Sequence, residues 1–281
     1  MHVDLHCHST ASDGECAPVE VARRAKQAGL AAIALTDHDT TDGVAVAAAE
    51  GQHLGVRVVP GCEFSVKAPW GELHLLGYFL PVGDAQLEAF LRETRAARRR
   101  RGEQIVAKLQ QLGVPIALSD VDAQAKGGAV GRPHVARALV KREASDDISD
   151  AFSRYLGRGR PAYVEKPLPR LAEVTTLVHA VGGVAVAAHL GDHGTEGQLR
   201  QFQDQGLDGL EVRHPSHPPS VEQRLTRIAE RLGLGISGGS DWHGDTEFGN
   251  THAPLGGMRI PVEWLELLEQ RKGGFTARTS A

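Results

Sequence analysis

Residues 2–14 read HVDLHCHSTASDG, which sets three histidines and two aspartates among Val, Leu and Ser. Such side chains do not suit a core strand. They suit a metal site, because divalent cations take unprotonated imidazole and ionised carboxylate as ligands. His6 and His8 are two residues apart, so on an extended segment they face the same way and Cys7 faces the other. Asp241 and His243, in the stretch SDWH, repeat that spacing. Glu63 and His74 lie in CEFSVKAPWGELHLLGYF. Two extended segments turning near Ala68-Pro69 would set residue 63 opposite residue 74.

The elements that must position these residues follow from periodicity. Short apolar runs at Val3 to Leu5, Ala31 to Leu35 and Val56 to Val59 are of buried-strand type, with helical stretches at 18–28 and 43–54 between them. The first 60 residues therefore predict β-α-β-α-β, the pattern of a parallel sheet or barrel. The alternation resumes late, with strands predicted over 184–188, 209–212 and 235–237 and helices over 171–181, 195–205, 220–232 and 261–271. Six strand ends deliver ionisable groups: His6 and His8; His38; Glu63; His189; Glu211 with His214 and His217; Asp241 and His243. In a β/α barrel the strand carboxyl ends gather at one face, which carries the chemistry. Burying so many ionisable groups without a cation would cost several kcal/mol each, so the pattern predicts a polynuclear metal site. His2, His53, His179, His193 and His252 lack this setting and are expected at the surface or in caps.

The middle of the chain differs. From about 84 to 163 the pattern is helical without a convincing strand. This divides the chain into a barrel, residues 1–99 and 166–281, and a helical cap or insert, residues 100–165. The tract Arg98 to Arg101 is expected to be a solvated helix face. Three cysteines without paired spacing fit reduced thiols and a cytoplasmic setting. No signal-peptide pattern or apolar run of membrane-span length is present. A net charge of −4 argues against stable binding of duplex DNA and leaves small nucleotides or chain ends as substrates. No nucleophile elbow and no Walker loop occurs.

The motifs HCH with SDG, TDHDT, GCEFS, the histidine after the hairpin, GRPH, AAHL and GSDWH run in this order over nearly the whole chain. With them the sequence resembles the PHP-domain phosphoesterases, relatives of the amidohydrolases. The resemblance implies an α/β fold, a distorted seven-stranded β/α barrel, holding two or three divalent metals. It implies as ligands His6, His8, Asp13, His38, Glu63, His74, His189, Asp241 and His243. The mixed donor set suits Mn²⁺ best, with Zn²⁺ or Fe²⁺ as alternatives.

The helical insert, GRPH and YLGRGRPAYVEKP are similar to one branch of that family: phosphatases of 3′,5′-nucleoside bisphosphates and exonucleases trimming short RNA from the 5′ end. The expected reaction removes the 3′-phosphate of a bisphosphate by attack of a metal-activated hydroxide, leaving a 5′-nucleotide. His217 is the candidate general acid or substrate contact. Arg132, His134, Arg158 and Arg160 are candidates for reading the phosphate that is not cleaved, with Arg132 and Arg158 preferred. The alternatives are a 5′→3′ exonuclease on short RNA, a histidinol-phosphate phosphatase, a C–N hydrolase on the same barrel, and a non-catalytic metal-binding module.

Overall fold

A computed structural model describes residues 1–245 and 253–273 of the chain; His252 lies outside the described residues. The strands are β1 (His2–Cys7), β2 (Ala32–Leu35), β3 (Arg57–Ala68), β4 (Gly71–Tyr78), β5 (Val184–Ala187), β6 (Gly209–Arg213), β7 (Gly235–Gly238) and β8 (Ile260–Pro261). They form one sheet in the order β7-β6-β5-β4-β3-β2-β1-β8. Helices α1 (Pro18–Gln27), α2 (Val44–Leu54), α7 (Leu171–Ala180), α8 (Glu196–Asp204), α9 (Pro219–Leu232) and α10 (Val262–Glu269) connect or follow the strands. Pro18 opens α1, where a missing N–H costs nothing, and Gly55 closes α2 in the left-handed conformation.

β1, β2 and β3 run parallel, as do β5, β6 and β7, while β4 is antiparallel to both β3 and β5. The two sheet ends meet beyond β7. Cys7 pairs in a parallel bridge with Trp242, and His8 N–H donates to the Trp242 carbonyl at 2.9 Å. The sheet is thus a nearly closed barrel. Among the described residues it has eight strands where seven were expected: the chain returns antiparallel to β1 at Ile260–Pro261, just where the last helix, expected over 261–271, was to begin.

The β3–β4 hairpin is displaced from the expected register. Ala68 pairs with Gly71 around a turn at Pro69-Trp70, so Glu63 faces Leu76 and His74 faces Ser65. The displacement is two residues, an even number, so both side chains keep the expected face of the ribbon.

Between β4 and α7 the chain is helical: α3 (Ala85–Gln111), α4 (Leu118–Ala125), α5 (Arg132–Lys141), α6 (Ile148–Ala151) and a π-helical turn, Phe152–Leu156. Ile105, Leu109, Val121, Val135, Leu139 and Leu156 bury one another in a core separate from those of the sheet. The expected boundary at residue 100 falls inside α3, which is one continuous helix whose first half packs Leu87 and Leu91 on the barrel.

The Arg98–Arg101 tract is not simply a solvated face. Arg98 and Arg101 are buried, and three residues apart they share a side of α3.

Candidate metal centre

The site is built at the strand carboxyl ends. The β1–β2 register slips between Asp4 and Cys7, a bulge where the chain must aim His6 inward. Left-handed backbone at His189 (φ 41°) and Asp241 (φ 51°) turns the chain sharply at two of the candidate ligands. Gly239 packs against His6, where even a methyl group would lie 2.4 Å from the His6 Cβ. Asp37 accepts from Ser9 N–H at 2.7 Å and from the Ser9 and Ser12 hydroxyls at 2.6 Å, holding the loop that presents Asp13.

Glu63 is the hub. Its Oε2 lies 3.3 Å from His6 Nε2, 3.1 Å from His8 Nε2 and 3.3 Å from His38 Nδ1. Its Oε1 lies 2.7 Å from His74 Nδ1 and 3.1 Å from His189 Nε2. Asp241 Oδ1 stands 3.1 Å from both His6 Nε2 and His8 Nε2. Asp13 approaches His243 Nε2 at 3.3 Å and His38 Nε2 at 3.8 Å. All nine residues of the expected ligand set therefore come together. Donor atoms of His6, His8, Glu63 and Asp241 lie within 4.8 Å of one another, and so do those of His8, Asp13, His38 and His243. Histidines thus gather on both oxygens of one buried carboxylate.

The donor set asks for positive charge. Neither ring nitrogen of buried His8, nor Nδ1 of His38, is satisfied by a hydrogen bond. Burial alone would raise the Glu63 carboxyl, but the imidazoles around it, His74 and His6 among them, outweigh it and hold the group well below the carboxylate range. Burial works against a charged His8, yet Asp241 and Glu63 push it up to about 10. His74, against the same penalty, is pushed up to about 9 by Glu63 and Glu72. At His38 burial wins over Glu63 and Asp13, and the imidazole falls to about 3. Ligand carboxylates that retain protons on neighbouring imidazoles bind divalent cations by exchanging those protons for metal. The residues fit a polynuclear divalent site.

The other expected site residues separate. His217 presents no free nitrogen to the cup: Nδ1 donates to the Val212 carbonyl at 3.0 Å, and Nε2 accepts from Gly191 N–H at 3.1 Å. Burial also lowers its pKa, and with both nitrogens taken up by the main chain the arrangement does not favour the expected general-acid role. His134 closes the first turn of α5, its Nδ1 accepting from Gly131 N–H at 3.0 Å. GRPH is, in part, a helix-start device. Arg158 and Arg160 are exposed, with Arg158 beside the hairpin tip at Gly71. Arg132 stacks over Phe152 and Tyr163 at 5.7 and 6.0 Å.

Sequence reasoning missed a group of buried cations. Arg98 pairs with Asp39, next to His38. Lys166 reaches Glu72 at 3.1 Å and Asp39 at 3.9 Å, and Glu72 in turn reaches His74 Nε2 at 3.4 Å. Burial and neighbouring Arg98 lower Lys166 to about 8. Burial, then neighbouring Arg132, lowers Arg101 to about 10. The available signal was the i, i+3 spacing of Arg98 and Arg101. Glu211 and His214 were noticed but given no role; the structure sets them against His6 and Asp241.

Residues 4–157 match the PHP domain model. A 5′-3′ exoribonuclease of Haemophilus influenzae is 34% identical, the match covering 94% of this chain and 92% of the relative. A 3′,5′-nucleoside bisphosphate phosphatase of Chromobacterium violaceum is 35% identical, covering 88% and 89%. A solved Bifidobacterium adolescentis structure, described provisionally as a metal-dependent phosphoesterase, superposes with a TM-score of 0.88 at 34% identity, covering 96% of each chain. Among the described residues no helix is long and apolar enough to cross a membrane. With the family model matched over more than half of the chain and these relatives over most of it, the chain belongs to the PHP domain family and is a metal-dependent hydrolase of phosphate esters.

Proposed function

We propose that this chain removes the 3′-phosphate of 3′,5′-nucleoside bisphosphates to give a 5′-nucleotide and phosphate. The observation that carries this reading is the under-neutralised cation group beside the cup. Arg98, Arg101, Arg132 and Lys166 neighbour one another, with Asp39 and Glu72 as their carboxylates. Arg101 is buried, donates Nε–H to the Val164 carbonyl at 2.9 Å, and makes no ion pair among the described residues. A buried guanidinium with no carboxylate in ion-pair contact is costly unless an anion arrives, and its fork suits a phosphate. A substrate with two phosphates would set one on the metals and the other on these cations. Arg132 keeps its proposed role, whereas Arg158 and Arg160 stand outside the group. Residues 100–165 act as the cap, with α3 carrying Arg98 and Arg101 between cap and barrel.

His6, His8, Asp13, His38, Glu63, His74, His189, Asp241 and His243 would hold two or three divalent ions, Mn²⁺ being the best match. Bound ions would supply Lewis acidity to the phosphoryl oxygens and an activated water. The protein's own part is placement. Glu63 and Asp241 fix the imidazoles, Arg98 and Lys166 position the 38–39 turn and Glu72, and the cap limits water.

A 5′→3′ exonuclease acting on short RNA is the second reading. It is favoured by the name of the Haemophilus influenzae relative; the groove between α3 and the 127–130 segment carries Arg95 and Arg99 but also Asp42 and Asp122, and Arg99 pairs with Asp122. The test compares phosphate release and nucleotide products from 3′,5′-adenosine bisphosphate, histidinol phosphate and a 5′-phosphorylated RNA dinucleotide with Mn²⁺ present. Preference for the bisphosphate with AMP as product is expected. Preference for the dinucleotide with nucleotide release would move the assignment to the exonuclease, and equal rates on all three would refute a second-phosphate site.

A further inference from the structure

β6 and the loop behind it contribute none of the nine candidate ligands, yet two of their ionisable side chains press on the cup. Glu211 is fully buried, and its Oε1 lies 3.0 Å from His6 Nδ1. The same imidazole turns Nε2 towards Asp241 Oδ1 and Glu63 Oε2. With Nδ1–H donated to Glu211, Nε2 carries the lone pair on the metal-facing side. A ring nitrogen of His214 also lies within 4.8 Å of the Glu211 carboxylate. Its Oε2 has no hydrogen-bond partner among the described residues, and the nearby Tyr78 hydroxyl is spent on the Leu5 carbonyl and Ser237 Oγ, each at 2.8 Å.

His214 stands in the matching relation to Asp241. Its Nδ1 accepts from Ser216 N–H at 3.1 Å, so in the neutral ring the proton sits on Nε2. That N–H points at Asp241 Oδ2, 3.4 Å away, while Oδ1 of the same carboxylate faces His6 and His8. One oxygen of Asp241 is thereby held from behind and the other left for a cation.

We propose that Glu211 and His214 are positioning residues for a single ion of the cluster, the one held by His6, His8, Glu63 and Asp241. Glu211 fixes the tautomer and plane of His6, and His214 fixes the rotation of Asp241. Both act through a ligand and neither touches the substrate. Among the described residues neither makes a hydrogen bond, ion pair or ring contact with Asp13, His38, His74 or His243, whereas the His214 ring lies 5.3 Å from that of His189 at its edge of the same ion's site. Loss of such an outer partner weakens metal binding by about 10–100-fold, and here the weakening falls on one ion while the others stay.

This inference rests on the ligand reading given above, so its test begins with the wild-type protein. Wild type, Glu211→Gln, His214→Phe and His214→Gln are loaded with Mn²⁺. Bound manganese is counted by mass spectrometry during stepwise chelation, and spin coupling is followed by electron paramagnetic resonance. Expected is loss of one ion per chain at about 10–100-fold lower chelator strength in Glu211→Gln and His214→Phe, together with loss of the coupled signal. The remaining ions should leave as in wild type. His214→Gln keeps an N–H donor and recovers part of the affinity.

Wild-type affinity for every ion in both Glu211→Gln and His214→Phe would overturn the proposal. So would equal weakening of all ions with a lowered melting temperature of the chelated protein, which is a structural role. Full metal retention with only kcat reduced in His214→Phe would overturn it by making His214 a substrate contact. Failure of the wild type to bind any divalent ion would instead remove the ligand reading itself.

Discussion

Arg101→Gln separates a binding cation from a structural one, because the two roles predict stability changes of opposite sign. The Arg101 side chain is 8% exposed, and burial, with Arg132 and Arg98 nearby, lowers its pKa from 12.5 to about 10. A base whose pKa falls on folding is disfavoured in its charged form, and at 1.36 kcal/mol per unit the cost at neutral pH is about 3 kcal/mol. Glutamine removes that cost and forfeits the hydrogen bond to the Val164 carbonyl, worth about 1 kcal/mol. The metal-free variant should therefore be more stable than wild type by roughly 1–2 kcal/mol, a rise of a few degrees in melting temperature. Catalysis should move the other way. A charge-assisted bond to phosphate contributes about 1.5–3 kcal/mol, so kcat/KM for a 3′,5′-bisphosphate should fall roughly 10–150-fold. A simple aryl monophosphate, which has no second phosphate, should change by less than about 3-fold. The assays are thermal denaturation of chelated protein and steady-state phosphate release from both substrates. A lower melting temperature with equal losses on both substrates would refute the reasoning and make Arg101 a structural residue of the α3–cap junction.

Chelation should lower the melting temperature and Mn²⁺ restore it, because an ion that binds only the folded chain stabilises it by about 2.7 kcal/mol at a hundred times its dissociation constant; a scan indifferent to metal would count against a site formed in the fold. His134 is held near pKa 4 by burial, against 6.5 in the unfolded chain. Between pH 6.5 and 4 the unfolded chain binds a proton that the folded one refuses, so this histidine lowers stability as pH falls through that window and costs nothing above it. Urea titrations at pH 7 and 4.5 should show His134→Asn losing about 2–3 kcal/mol less than wild type over that interval; parallel losses would remove His134 from the acid response. Gly128→Ala places a methyl 2.6 Å from the Thr10 carbonyl and 2.8 Å from the Ala11 carbonyl, on the loop leading to Asp13. It should cost about 1–3 kcal/mol and reduce activity on every phosphoester alike; a loss confined to bisphosphates would place this seam in the second-phosphate site instead.

The residues that converge at the cup were legible because their signals are local. An i, i+2 pair such as His6 and His8 declares its shared face without any knowledge of the fold, and a ligand placed just after an apolar run is carried to the strand end by the run itself. The hairpin shows how far such reasoning reaches. Its turn lay at Pro69-Trp70 and its register two residues from the expected one, yet Glu63 and His74 still met, because an even shift preserves the face.

Side chains whose meaning depends on what packs against them were not legible. Arg98 and Arg101 look like solvent charges in a run of four arginines, and only the docking of α3 between the barrel and the helices that follow it buries them beside Lys166, far along the chain. His217 and His214 are near-equivalent in HPSHPP, and main-chain hydrogen bonds decide that one is locked while the other turns a proton to Asp241. By itself the sequence determined the alternation of strands and helices and the metal-binding character of the strand ends, since periodicity and donor chemistry are properties of short segments. Which cations are buried together, and which side chains stand behind the candidate ligands, was decided only by the tertiary structure, because burial, tautomer and charge compensation arise between segments the chain does not place side by side.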